Sequence, residues 1–257
     1  MNQKTDAPMP WMKEFEIVPE RRSRPARSVT MTLPDAPTRL DLYRFVHKGL
    51  RAFLHDVLLQ IGRMDMDDEA EVKDALARMR ELLTICRIHL QEENRFIHTA
   101  LEARRAGAAA RVASDHASHE QSFEELELDA RAVEDSQSTT RAVAASRLYR
   151  HLALFVADNL EHMHVEETEL NEALWATHSD AELRGIQQAL VSAIAPEHTT
   201  VFQRWMLPAM TPAERVAMLS GIKQRTPGHV FSGILANLKP HLAERDWNKL
   251  MAALAGL

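Results

Sequence analysis

The chain has 257 residues, 45% hydrophobic and 26% charged, with a formal net charge of -6. That suffices for one large domain with a sizeable core, and the acidic balance excludes nucleic acid as a main partner, which would require a basic surface. Only 8 glycines and few β-branched runs, against abundant Ala, Leu, Glu and Arg, point to an all-α protein.

Residues 1–37 hold many of the prolines and the cluster Arg21, Arg22, Arg24 and Arg27. No apolar period survives there, so an extended N-terminal arm is expected, with Trp11, Phe15 and Ile17 docking onto a helical bundle. A first helix is predicted over 38–61, where Leu40, Tyr43, His47, Leu50, Leu54 and Leu58 recur at three and four and Gly62 ends the pattern. The second opens at Asp65, Asp67, Asp68 and Glu69, which suit a helix N-terminus, and passes Leu82, Ile85, His89, Glu93 and Phe96 to stop near Gly107. The third covers 109–133 through Val112, His116, His119, Phe123 and Leu126. The fourth runs from near Ser138 through Leu152, Phe155, His162 and Glu166 to Leu174.

Short connections make neighbouring helices antiparallel, so 38–175 reads as an up-down-up-down four-helix bundle. Beyond it, 176–257 reads as a C-terminal helical extension packed on the bundle. Ser179–Asp180 opens one helix there, Thr211-Pro-Ala-Glu214 is a capping box with Pro at its first helical position, and short helices lie around 230–238 and 244–254.

The anomaly is 13 histidines. Composition supplies roughly one His-x3-Glu by chance, yet the chain has His89/Glu93, His98/Glu102, His116/Glu120, His162/Glu166 and His178/Glu182. At ~100° per residue such a pair shares one helix face. Phase separates the inward histidines from the others. His47 lies in phase with Leu50 and Leu54, His89 with Leu82 and Phe96, His116 with Phe123, and His162 with Phe155. Unpaired polar groups in a core are costly, and a shared metal centre would supply their partners. His98 and His164 fall half a turn away and are expected to face outward. His178/Glu182 reads as a surface pair or cap, His55 as a contact of the site or a surface residue, and His151 as lining a channel or bonding in the core. His119 and Glu120, one turn from His116, are each able to supply a further ligand.

Imidazole plus carboxylate without thiolate suits iron, manganese or zinc, and the donors are too many for one tetrahedral ion. They suit two metals with the glutamates bridging. The lone Glu-x-x-His, Glu161/His164, has an outward histidine, which argues against a ferritin-like bundle. Cys86 is the single cysteine. It excludes an intrachain disulfide or multi-cysteine metal cluster and reads as a buried core residue.

The ordered set of Val46-His47-Lys-Gly-Leu-Arg51, His89-Leu-Gln-Glu-Glu93, His116 and His162-Met-His-Val-Glu-Glu167 on four successive helices resembles the hemerythrin-like, or HHE cation-binding, family over about 38–175. The resemblance implies two iron ions, with His47, His89, His116 and His162 as terminal ligands and Glu93 and Glu166 bridging; manganese or zinc is the weaker alternative. Glu167 remains a candidate beside Glu166. Oxygen-carrying members place a second histidine where this chain has Glu120, and a more carboxylate-rich site favours oxidase or peroxide chemistry over reversible oxygen carriage. The function implied is binding of dioxygen or a related small oxidant for storage, sensing or detoxification. Two other readings stay open: a di-iron oxidase or oxygenase with a substrate cavity between bundle and extension, and an iron- or oxygen-responsive module that binds a protein or a second copy of the chain through its extension. No apolar run approaches the roughly 18 residues of a spanning helix, and no signal-peptide core opens the chain, so no membrane partner and a cytoplasmic address are expected.

Overall fold

The structure, a computed structural model, describes residues 39–256. The arm expected over 1–37, with its docking residues Trp11, Phe15 and Ile17, lies outside them. The described residues are all-helical, with no strand among them.

Helix α1 spans Arg44–Arg63 and α2 Glu69–Glu92. A π-helical turn, Glu93–His98, joins α2 to α3, Thr99–Arg104. Helix α4 covers Ala110–Glu134 and α5 Ser138–Val165, and a second π turn, Glu166–Leu170, leads into α6, Asn171–Thr177. The remainder forms α7 Asp180–Ala193, α8 Pro196–Ala209, α9 Pro212–Arg225, α10 Gly228–Leu238, a 3₁₀ turn at Lys239–His241, and α11 Glu244–Ala255.

The first helix begins at Arg44, later than its apolar period suggests. Asp41 Oδ1 takes the backbone N–H of Tyr43 at 2.9 Å and of Arg44 at 3.0 Å, and also the Asn171 amide at 2.9 Å. The preceding residues are strapped elsewhere. Arg39 reaches Asp180 and the carbonyls of Trp175 and His178, while the Trp175 indole N–H donates to the Leu40 carbonyl. At its other end α1 continues through Gly62 rather than stopping there. Asp68 caps α2 by accepting from the backbone N–H of Ala70 and Glu71. The stop near Gly107 is real: its φ of 81° is a left-handed conformation that suits glycine. Ser179/Glu182 and Thr211/Glu214 both form reciprocal capping boxes.

Helix α1 packs on α2 and α5, and α4 packs on the same two helices. The largest apolar cluster lies among these four, built from residues such as Phe53, Leu76, Met79, Phe123, Leu148 and Phe155. Cys86 belongs to it, and burial pushes its thiol up to about 12. A second cluster, with Tyr43, Ile97, Leu101, Val112, Leu170 and Leu174, closes the end where the π turns lie. Helix α8 lies along α1 and also touches α2. Trp205 stacks on Phe53 with ring centroids 4.2 Å apart, and Arg204 pairs with Glu81. Gly49 makes the approach possible, since a Cβ there would stand 2.8 Å from the Met206 Cα. Helices α8–α11 share a third cluster around Leu207, Leu219, Phe231 and Leu250, against which Phe45 of α1 packs. No helix among the described residues is long and apolar enough to cross a membrane.

Candidate metal centre

Between the first two apolar clusters lies a layer of buried polar side chains. His47 follows Tyr43 of the second cluster and precedes Leu50 of the first; Glu93 sits between Leu90 and Ile97, and His116 between Val112 and Phe123. Helix α5 contributes His162 at its last turn, and Glu166 opens the following π turn. His47, Glu93, His116, His162 and Glu166 are each no more than 5% exposed, and the His89 side chain is 11% exposed.

The two π turns explain the register. Each begins at a glutamate of the layer. A π turn accommodates one more residue than an α turn, so side chains beyond it rotate relative to 3.6-residue periodicity. Phe96, expected inward, is only partly buried, whereas Ile97 and His98 take the interior. His98 is therefore corrected from an outward residue to a buried one, 5% exposed, with its ring 5.0 Å from that of His116 at an interplanar angle of 20°.

The donors fall into two groups. His47, His89, Glu93 and Glu166 form one, and Glu93, His116, His162 and Glu166 the other, with the donor atoms of each all within 4.8 Å of one another. His47 Nε2 lies 3.3 Å from Glu166 Oε2 and 3.8 Å from Glu93 Oε1. His89 Nε2 is 3.3 Å from Glu93 Oε1, and His162 Nε2 is 3.3 Å from Glu166 Oε2. His116 Nε2 is 3.6 Å from Glu166 Oε1, 3.7 Å from Glu93 Oε2 and 3.0 Å from His162 Nε2. Donors sharing one ion at about 2.0–2.2 Å stand roughly 3–3.5 Å apart, so most of these spacings suit a common ion.

Hydrogen bonding gives the same fit. His47 Nε2, His89 Nε2, Glu93 Oε2 and both Glu166 oxygens are buried without a hydrogen-bond partner. Native interiors rarely leave such atoms unsatisfied, and a metal ion satisfies them together. The opposite ring nitrogens of two histidines are engaged. His47 Nδ1 lies 3.1 Å from Glu167 Oε1, and Arg51 grips that carboxylate at 2.6 and 2.9 Å. His116 Nδ1 lies 2.9 Å from Asn94 Oδ1. With Nδ1–H donating in each case, the Nε2 lone pair faces the layer.

The charges are mutually dependent. Burial works against a protonated His47, but Glu166, Glu167 and Glu93 outweigh it and hold its pKa well above the usual histidine value. Burial, reinforced by the nearby His47 charge, pushes His89 the other way. Burial and the Glu166 charge raise Glu93 to about 7. Glu166 resists the same burial through its contacts with His116, His162 and His47 and lies well below the carboxylate range. Glu167, despite burial, is brought to about 2 by His47 and Arg51.

The remaining predicted donors are placed apart. His119 is buried with its ring 4.9 Å from that of His162, and burial followed by the His162 and His116 charges lowers it to about 3; it belongs to neither donor group. Glu120 turns to Arg87 at 3.0 Å with 39% of its side chain exposed. Glu167 supports His47 from behind, outside both groups. His164 is exposed as expected. His55 is also exposed, with its Nδ1 against the Arg51 carbonyl. His151 is half-buried and bonds inward to the buried Asp129 at 3.0 Å, with Glu125 at 3.3 Å from its other nitrogen. Glu182 serves the Ser179 cap and pairs with Arg104, while His178 Nδ1 meets the Thr177 hydroxyl.

Sequence reasoning missed Tyr43 as a polar group of the site. It is fully buried with its hydroxyl unpartnered and its ring 5.3 Å from that of His47. Its phase with His47 was legible, but its apolar body hid the polar tip. A depression of about 600 Å³ lies between α9 and α11 and is lined by none of the candidate ligands. No protein-family model, curated protein or solved structure matches the chain.

Proposed function

We propose that the chain is a non-haem di-iron protein of hemerythrin-like type that binds dioxygen or a related small oxidant. The observation that carries the reading is that both donor groups use Glu93 and Glu166. A pair of carboxylates common to two sets of imidazoles is the arrangement expected when two ions share bridging ligands. In this reading α1, α2, α4 and α5 form an up-down-up-down bundle, His47 and His89 would hold one iron, and His116 and His162 would hold the other. Nitrogen and oxygen donors without thiolate favour iron, with manganese and zinc as competitors.

Ferrous iron held there would supply electrons and an open coordination position to a small oxidant. The rest is done by the chain. Glu167 and Asn94 hold the His47 and His116 rings by Nδ1, and Arg51 fixes Glu167 in turn. Leu50, Leu82, Phe123 and Phe155 on one side and Ile97 and Leu101 on the other limit water around the layer. Tyr43 brings a buried hydroxyl to the His47 side.

The test is metal analysis of the full chain, followed by absorbance spectroscopy of the reduced protein exposed to oxygen. Two iron equivalents and an oxygen-dependent visible band are expected. A chain without stoichiometric metal, or unchanged metal content in His89→Ala combined with Glu93→Ala, overturns the reading.

A further inference from the structure

The π turn that brings His98 inward also places it at the wall of a surface depression. This depression, about 540 Å³, lies between the Glu93–His98 turn with α3 and the first turn of α4. Asn94 and His98 line it, and both also contact His116: Asn94 through its amide oxygen at 2.9 Å, His98 by its ring at 5.0 Å. The walls of the depression are thus the immediate neighbours of a candidate ligand. His98 is 5% exposed, and neither of its ring nitrogens has a protein partner. A neutral imidazole carries one N–H donor and one acceptor, and leaving both unmet in a buried place is costly.

The remaining lining restricts what fits. Ala109, Ala110 and Ala113 of the facing wall carry only methyl groups, which keeps the space open. Of the lining residues only Glu102 is formally charged, and both its oxygens are taken by backbone N–H groups, Gly107 at 2.6 Å and Ala109 at 2.7 Å. Those two bonds hold the rim of the depression. Since no lysine or arginine lines it, an anion finds no counter-charge there, whereas a small uncharged molecule finds apolar walls and a hydrogen-bonding imidazole.

We propose that this depression is the port through which small uncharged molecules able to accept a hydrogen bond reach the candidate metal centre, with His98 as the side chain that gates it. The port rests on the metal-binding reading above. It adds a direction of approach, on the His116/His162 side, and a restriction on charge.

The experiment uses the full iron-loaded chain and nitric oxide as the probe, with metal content measured alongside. Ala113 is exposed on α4, so Ala113→Trp fills the depression without touching a ligand. It is expected to retain the parent's metal and to slow nitric oxide association several-fold in stopped-flow absorbance. His98→Ala clears the passage and is expected to quicken association at equal metal content. Unchanged rates in both variants with metal retained overturn the port while leaving the metal centre standing. A parent chain that takes up no metal overturns both, and metal analysis separates the two failures. Equal slowing of azide uptake by the ferric Ala113→Trp protein overturns the restriction to uncharged ligands.

Discussion

Glu93 and Glu166 each open a π-helical turn, and each lies within ion-pairing distance of both His47 and His116. The histidines belong to different donor groups; the glutamates belong to both. Removing a histidine and removing a glutamate are therefore different perturbations, although all are buried polar residues of one layer.

Glu166→Ala and Glu93→Ala are each expected to abolish binding of both ions. His89→Ala strips a donor from one group alone and is expected to leave roughly one equivalent bound. Elemental analysis after desalting reads the difference. Equal losses in His89→Ala and Glu166→Ala would show that the ions are not held by shared carboxylates.

The residues behind the candidate ligands lead to a graded effect. Glu167 meets His47 Nδ1 at 3.1 Å, with Arg51 holding its other side. Supporting contacts of this kind orient the ring and raise its basicity, and losing one typically costs 10–100-fold in metal affinity. Glu167→Ala is expected to fall in that range in competition with a chromophoric chelator. Glu120→Ala, whose partner is the surface residue Arg87, is expected to change affinity little. A larger loss from Glu120→Ala would return that carboxylate to the site.

Gly49 offers a test of how α8 is seated. A Cβ at this position would stand 2.8 Å from Met206 Cα and 2.9 Å from its backbone nitrogen, so the two helices must separate. Gly49→Ala is expected to destabilise by about 1–3 kcal/mol, the usual cost of overpacking, which lowers the melting temperature by several degrees in calorimetry. Gly185 is the control: it lies inside α7 with no atom within 4 Å of its built Cβ. Gly185→Ala is expected to stabilise slightly through helix propensity.

Much of the candidate site is visible in the sequence because four of its histidines obey the α-helical period. His47, His89, His116 and His162 share phase with Leu50, Leu82, Phe123 and Phe155, and all of these are buried except His89, whose side chain is 11% exposed. The period fails where the helix ceases to be α. Beyond Glu93 the extra residue of the π turn replaces Phe96 by Ile97 in the interior and brings in His98, which a uniform 100° rotation turns outward. Helix α4 poses a different difficulty. His119 and Glu120 are adjacent in sequence, and what separates them is Arg87 on α2, which draws Glu120 to the surface. That pairing is tertiary and leaves no local signature. The seating of α8 is equally silent, because Gly49 reads as a weak point in a helix until Met206 is placed against it.

Glu214 ties the C-terminal helices to α1 and gives a pH dependence with a defined sign. It accepts from Lys48 Nζ at 2.6 Å, from the Arg44 guanidinium, and from the Thr211 backbone N–H at 2.9 Å. Burial favours its neutral form, but Lys48 and the Thr211 cap outweigh burial and bring its pKa to about 2. In an unfolded chain a glutamate titrates near 4.3, so between these values the unfolded state binds more protons. The stabilisation is present above that unfolded value and is lost as pH falls toward the folded one. Glu214→Gln keeps an oxygen for the Thr211 N–H but removes the charge. At pH 7 the variant is expected to melt below the parent; the gap should narrow from about pH 5 downward and close near pH 2. Thermal melts of both proteins across that range provide the measurement. A gap that stays constant with pH would mean that the carboxylate contributes through its shape and hydrogen bond to Thr211, and that its charge toward Arg44 and Lys48 adds nothing to the docking of α9.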